Sequence, residues 1–382
     1  MSNQQLPVSC TSKVEAPPKS VPTRSTRNSS IELLRIIAML FIVLSHAGSY
    51  GGFEIKATPL TVNNLFLQWS KLGGIGVNIF ILISGYFLCE KEFKLASVSR
   101  LLAQGWFYSI VLFLVCRFGF SYHYGLFELA TVFLPTIFLE YWFLTAYIIL
   151  LLFSPFINIM LSKITQKQHL QLIVTTLILW IVIRTFTTSE VLGTTVPYVF
   201  TIYVIGAYFR KYPQNWFSNK KHRIQITVFS SALLFLSSAA ISILATKVSA
   251  LNDKTAFLYA KNSLLSVACA VGLFSMALYR KAFCSKWVNV VSGCTFGVYL
   301  IHENPVFRFY LWNNLLNNAP YFNSPTLIPR ILLSVAIVFS VSALIEFLRQ
   351  KTIDKPLANC VDAAFRRIIG FAHTCAQRIL KY

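Results

Sequence analysis

A few ionisable and amide side chains stand in segments so apolar that each one calls for an explanation. SIELLRIIAMLFIVLSHAG carries Arg35 and, eleven residues later, His46. GGIGVNIFILISGYFL carries Asn78, and WVNVVSGCTFGVYLIHENP carries His302 and Glu303. A charged group inside such a segment costs roughly 2.5–3.5 kcal/mol on insertion scales, so its retention is a functional signal. Histidine titrates near neutrality. It can take the proton from a hydroxyl as that oxygen attacks a carbonyl, or carry an acyl group itself. Arginine offers a planar fork of donors suited to a phosphate or an amide.

Helical rise places these groups. At 1.5 Å per residue, Arg35 and His46 are about 16 Å apart along one helix, and His46 stands roughly 22 Å from the end that holds Arg35. His302 is fifteen residues past Trp287, again roughly 22 Å up. Asn78 lies about 8 Å below the far edge of its own, oppositely running segment. Three polar side chains from three helices therefore share one depth, and Lys261, Asn262 and Glu140 are placed to join them. Blander roles stand beside these. Arg35 and Lys261 can snorkel to headgroups, His302 and Glu303 can end a helix, and Asn78 can be a packing amide.

The elements that hold these residues are set by composition. Of 382 residues, 55% are hydrophobic and 12% charged, and mean hydropathy is +0.61. A soluble domain carries about twice that charge. The expected fold is an all-α polytopic integral membrane protein of about ten transmembrane helices. They are expected at 31–50, 72–90, 101–120, 142–161, 170–187, 196–210, 224–246, 256–279, 287–309 and 327–349, near the 20 residues a bilayer requires except for the short sixth. The 33 Phe, 17 Tyr and 7 Trp suit lipid-facing and interfacial positions. The segment 121–141 reads as an interfacial or re-entrant piece on the outer face.

Net charge is +21, but the basic residues are spread through short connections and form no basic domain, which argues against a nucleic-acid partner. Taking the N-terminus as cytoplasmic puts 24 Lys and Arg inside and 9 outside, so both termini are expected to be cytoplasmic. Residues 1–30 read as a disordered cytoplasmic tail, 31–349 as the membrane domain and 350–382 as a basic cytoplasmic C-terminal tail. The eight cysteines show no CxxC pair, and no spacing points to a metal site.

On these residues the chain resembles the acyltransferase 3 family of bacterial membrane O-acyltransferases. Arg35 and His46 reproduce its Arg-x10-His motif. GVNIFILISGYFL at 76–88, YWFLTAYIILLLFSPFIN at 141–158, TFGVYLIHENP at 295–305 and IEFLRQKTIDKPL at 345–357 follow in order. The resemblance covers nearly all of 31–357, and ISGYFL, YWFL and YLIHE are similar to the branch found with capsule and O-antigen genes. Two positions depart from the pattern. Asn78 stands where many members have an acidic residue. Lys91-Glu-Phe-Lys94, with Arg100, stands where many have an Arg-x-x-Arg pair, and lysine attracts phosphate without arginine's bidentate fork.

The resemblance implies transfer of an acetyl (acyl) group from cytoplasmic acyl-CoA to a sugar hydroxyl of a surface polysaccharide or its lipid-linked precursor, in the bacterial inner membrane. It implies catalytic roles for His46 and Arg35. Donor contacts are expected from Arg35, Lys91, Lys94 and Arg100, and acceptor contacts from His302, Glu303, Asn78, Glu140 and Lys261, with support of His46 as the alternative role for His302 and Glu303. Acetyl-CoA is expected as a substrate, with no tightly bound cofactor and no metal. Membrane lipid and a glycan or lipid-linked oligosaccharide are the other expected partners. A polytopic glycan transporter, flippase or polymerase is the competing class. An internal repeat or large outer loops with paired arginines would mark it, and neither is evident by eye.

Overall fold

The structure is a computed structural model that describes residues 28–187, 195–254 and 257–379. Most of the expected N-terminal tail lies outside them. Among the described residues the regular structure is helical throughout, as hydrocarbon demands of a backbone that must satisfy its own hydrogen bonds. In chain order the helices are α1 (Ser29–Tyr50), α2 (Val62–Trp69), α3 (Gly73–Leu88), α4 (Leu95–Leu114), α5 (Leu126–Phe133), α6 (Trp142–Lys163), α7 (Gln166–Leu177) and α8 (Ile183–Thr187). They continue with α9 (Thr195–Lys211), α10 (Lys220–Ala245), α11 (Leu264–Leu278), α12 (Lys286–His302), α13 (Pro305–Phe309), α14 (Leu327–Thr352) and α15 (Asp354–Ile379).

Among the described residues, seven stretches are long and apolar enough to cross a bilayer: Ser29–Tyr50, Val62–Leu88, Leu95–Gly119, Trp142–Lys163, Gln166–Thr187, Lys220–Ala245 and Leu327–Thr352. The other three expected spans fall on α9, α11 and α12, of 17, 15 and 17 residues. These helices are about 22–26 Å long, short of a core of about 30 Å. The expected sixth span is itself short, and for the other two the reasons are local. The expected eighth span begins with a 3-10 turn at Phe257–Tyr259 and becomes α-helical only after Ser263, whose hydroxyl caps α11. The expected ninth span breaks after His302, because Asn304 caps a new helix that opens on Pro305; proline has no N–H with which to continue the turn. In the 121–141 segment, α5 exposes Leu126, Phe127 and Phe133.

Three helices position the site. Polar links bind α1 to α12 at their starts: the Ser29 hydroxyl donates to Asn289 Oδ1 at 2.9 Å and accepts from the Ser285 N–H at 2.8 Å, and the Ser292 hydroxyl donates to Glu32. Successive contacts advance together along both, so α1 and α12 run parallel. On the other side of α1, Gly73 meets Ser45 and Gly76 meets Ala38, so α3 runs antiparallel to it. A Cβ on Gly76 would lie 2.4 Å from the Ala38 carbonyl oxygen. Only small residues permit this approach, a common basis of helix association in membranes.

Candidate active site

The parallel pairing of α1 and α12 brings their far ends together, and the residues there are His46 and His302. His46 Nδ1 lies 3.0 Å from His302 Nε2. His302 Nδ1 bonds to the Val298 carbonyl of its own helix. A carbonyl only accepts, so that bond assigns the proton to His302 Nδ1 and leaves Nε2 as an acceptor in the neutral ring. His46 must then donate from Nδ1. Its Nε2 carries the lone pair and makes no hydrogen bond among the described residues.

The helix break supplies a carboxylate beside this pair. Glu303 Oε2 lies 3.0 Å from His46 Nδ1 without hydrogen-bond geometry, so it acts as a nearby negative charge while His302 takes the N–H. The other oxygen, Oε1, accepts from the Tyr50 hydroxyl at 3.2 Å and from Arg308 Nη1 at 3.0 Å. Arg308 Nη1 also reaches the Tyr50 hydroxyl at 3.2 Å, and its guanidinium centre stands 4.2 Å from that ring's centroid. A positive charge forming on His46 would be balanced by Glu303, and Glu303 is held by Arg308.

His46 lines a cavity of about 280 Å³ together with Ser45, Ser49, Lys71, Trp142, Tyr259, Lys261 and Tyr299. Lys261 Nζ stands 3.5 Å from the centroid of the Trp142 ring. A second cavity of about 260 Å³ is lined by Arg35, Ser84, Leu101, Tyr147, Ser292, Gly293 and Thr295. Arg35 is held at Nη1 by Glu32 Oε2 at 3.3 Å, and its side chain keeps 24% exposure. Its other N–H groups make no hydrogen bond among the described residues. Such a fork can bind an anion while its helix stays fixed. The sequence motif thus maps onto two cavities served by one helix, Arg35 in one and His46 in the other.

The remaining expected residues divide. Lys261 and Glu303 join the His46 assembly as described. Asn78 is fully buried and lines neither cavity: its Nδ2 donates to the Lys261 carbonyl at 2.9 Å and its Oδ1 accepts from the Tyr198 hydroxyl at 2.6 Å. It fixes the chain that carries Lys261. Glu140 lines neither cavity and accepts from Ser109 at 2.7 Å and from Asn304 at 2.8 Å, bracing the turn that follows Glu303. Lys91, Lys94 and Arg100 are exposed around the end of α3 and the start of α4. Lys91 Nζ lies 5.7 Å from the Phe87 ring centroid, and Arg100 is 3.8 Å from Asp354.

Sequence reasoning missed Tyr50, Arg308, Asn304 and Lys71. Tyr50 was findable, since it follows His46 by four residues and so shares its face. Arg308 had no such signal, because its reach depends on the turn at Asn304-Pro305.

A family model described as an acyltransferase domain matches residues 28–346 of the chain. No curated protein and no solved structure matches it.

Proposed function

The chain belongs to this acyltransferase family, and on that premise we propose that it moves an acetyl group from cytoplasmic acetyl-CoA to a sugar hydroxyl of a surface polysaccharide, of capsule or O-antigen type, or of its lipid-linked precursor. In this reading it is a multi-pass protein of the bacterial inner membrane that crosses about ten times, the short α9, α11 and α12 included, with both termini cytoplasmic. The observation that supports the reading is the pairing of His46: Nδ1 donates to His302, which leaves the basic Nε2 unbonded among the described residues on a ring that lines the cavity.

The chemistry follows from that assignment. Arg35 holds a phosphate or pantetheine amide of the donor from the cytoplasmic side, and the exposed Lys91, Lys94 and Arg100 draw the anionic nucleotide toward it. A sugar hydroxyl in the outer cavity gives its proton to His46 Nε2 as its oxygen attacks the thioester carbonyl. The imidazolium that forms lies 3.0 Å from the Glu303 carboxylate. The C–S bond then breaks, the CoA sulfur takes the proton back from His46, and the products are the sugar acetate and CoA-SH. In this reading Lys261 and Trp142, which line the same cavity, hold the sugar, Trp142 by its flat apolar face.

The test is a reconstituted assay. Proteoliposomes given radiolabelled acetyl-CoA and glycan from a strain lacking the protein should release CoA and label the glycan together. CoA release without glycan labelling, or movement of unmodified glycan across the bilayer, contradicts the proposal.

A further inference from the structure

Among the described residues, three side chains line both cavities: Phe80 of α3, Phe143 of α6 and Phe296 of α12. They come from three helices and meet between Arg35 and His46. Phe80 and Phe143 have ring centroids 6.5 Å apart, and Tyr299 stands 5.8 Å from Phe143 and 5.9 Å from Phe296. The Phe143 N–H is held by the Tyr299 hydroxyl at 3.4 Å. Phe143 is buried, whereas Phe80 and Phe296 are half-buried. The wall between the two cavities is therefore an apolar aromatic layer, while both chambers contain polar side chains: Arg35, Ser84, Tyr147, Ser292 and Thr295 on one side, Ser45, His46, Ser49, Lys71 and Lys261 on the other.

We infer that Phe80, Phe143 and Phe296 form the constriction through which the acyl thioester reaches His46, and that they set which acyl chains pass. The inference rests on the acyltransferase reading above. A donor anchored at Arg35 and a base about 16 Å away along the same helix can meet only if a narrow part of the donor crosses this layer. Pantetheine is unbranched and fits that requirement; the nucleotide does not, and stays on the Arg35 side. The same rings separate two polar chambers that would otherwise join into one water path across the membrane. Chain-length selection follows because rings that pass a two-carbon acyl group meet each further methylene as bulk, and one methylene in an apolar site is worth roughly 10- to 200-fold in discrimination.

Two measurements test the layer. In proteoliposomes with acetyl-, propionyl- and butyryl-CoA and the acceptor glycan, the wild-type protein should favour acetyl. Phe296→Ala and Phe143→Ala should raise the butyryl-to-acetyl ratio of kcat/KM about 10-fold or more, and Phe296→Leu, which preserves apolar bulk, should raise it less. An unchanged ratio in both alanine variants overturns the inference while the acyltransferase reading stands. The second measurement needs no activity. Ser45→Cys, followed by mass shift of its own peptide, should resist a charged thiol reagent added from the cytoplasmic side and become reactive when Phe80→Ala and Phe296→Ala are added. Equal reactivity with and without the phenylalanines overturns the partition, whatever the protein transfers.

Discussion

His46 Nδ1 stands 3.0 Å from His302 Nε2, and His302 Nδ1 faces the carbonyl of Val298. The second histidine thus works as a fixed acceptor that sets the tautomer and tilt of the first. Replacing it with alanine should lower kcat by about 10²-fold, the lower end of what a positioned acid or base contributes, with little change in the KM for acetyl-CoA. His302→Gln, which keeps an acceptor oxygen near the same place, should recover part of that loss. Equal kcat in the alanine and glutamine variants would show that acceptance by His302 is unimportant.

Glu303 is buried and takes its hydrogen bonds from Tyr50 and Arg308. Removing the cation by Arg308→Leu leaves a carboxylate without its countercharge and should lower stability by about 1–3 kcal/mol, seen as a drop in the thermal unfolding temperature in detergent. Arg308→Leu combined with Glu303→Gln should recover much of that stability while activity stays low. If the double variant is no more stable than the single one, Arg308 serves packing and not charge balance.

A methyl group on Gly76 would be forced against the Ala38 carbonyl, at 2.4 Å, whereas one on Gly119 would meet nothing within 4 Å. Gly76→Ala should cost about 1–3 kcal/mol, the usual range for an overpacked contact, and should also lower activity by moving α3 from α1. Gly119→Ala should stay within about 0.5 kcal/mol of wild type. Paired thermal melts compare the two directly.

The proposed orientation predicts opposite labelling of two exposed positions. Asn323→Cys, ahead of α14, should react with an impermeant thiol reagent added to intact cells. Asn219→Cys, ahead of α10, should react only after the membrane is opened. Reaction of the residue 219 cysteine from outside would overturn the orientation.

Hydropathy and spacing made much of this legible in the sequence, because depth along a helix follows from residue number alone. Arg35 and His46 share one helix, so residue number alone gives their relative depth, and His302 reaches His46 because α1 and α12 start at the same level. Depth is one coordinate, however, and it leaves rotation about the axis open. Asn78 has the expected depth but faces Tyr198 and the Lys261 backbone, and Glu140 turns to Ser109 and Asn304. Hydropathy continues across two structural breaks, at 257–263 ahead of α11 and at Glu303-Asn304 after α12, whereas α9 matches an expected span that is itself short. The phenylalanine layer gave no signal, since Phe80, Phe143 and Phe296 are three among 33 in the chain.

The central claim is that His46 takes the proton from a sugar hydroxyl during acetyl transfer, with Arg35 on the donor side. Mass analysis of surface glycan from a deletion strain tests it most directly. The wild-type gene should restore the mass of the acetyl group. His46→Ala and Arg35→Ala, produced at wild-type level, should not, and the loss at His46 should be about 10²- to 10⁴-fold in the rate measured in isolated membranes. Full acetylation by a normally produced His46→Ala protein would contradict the account.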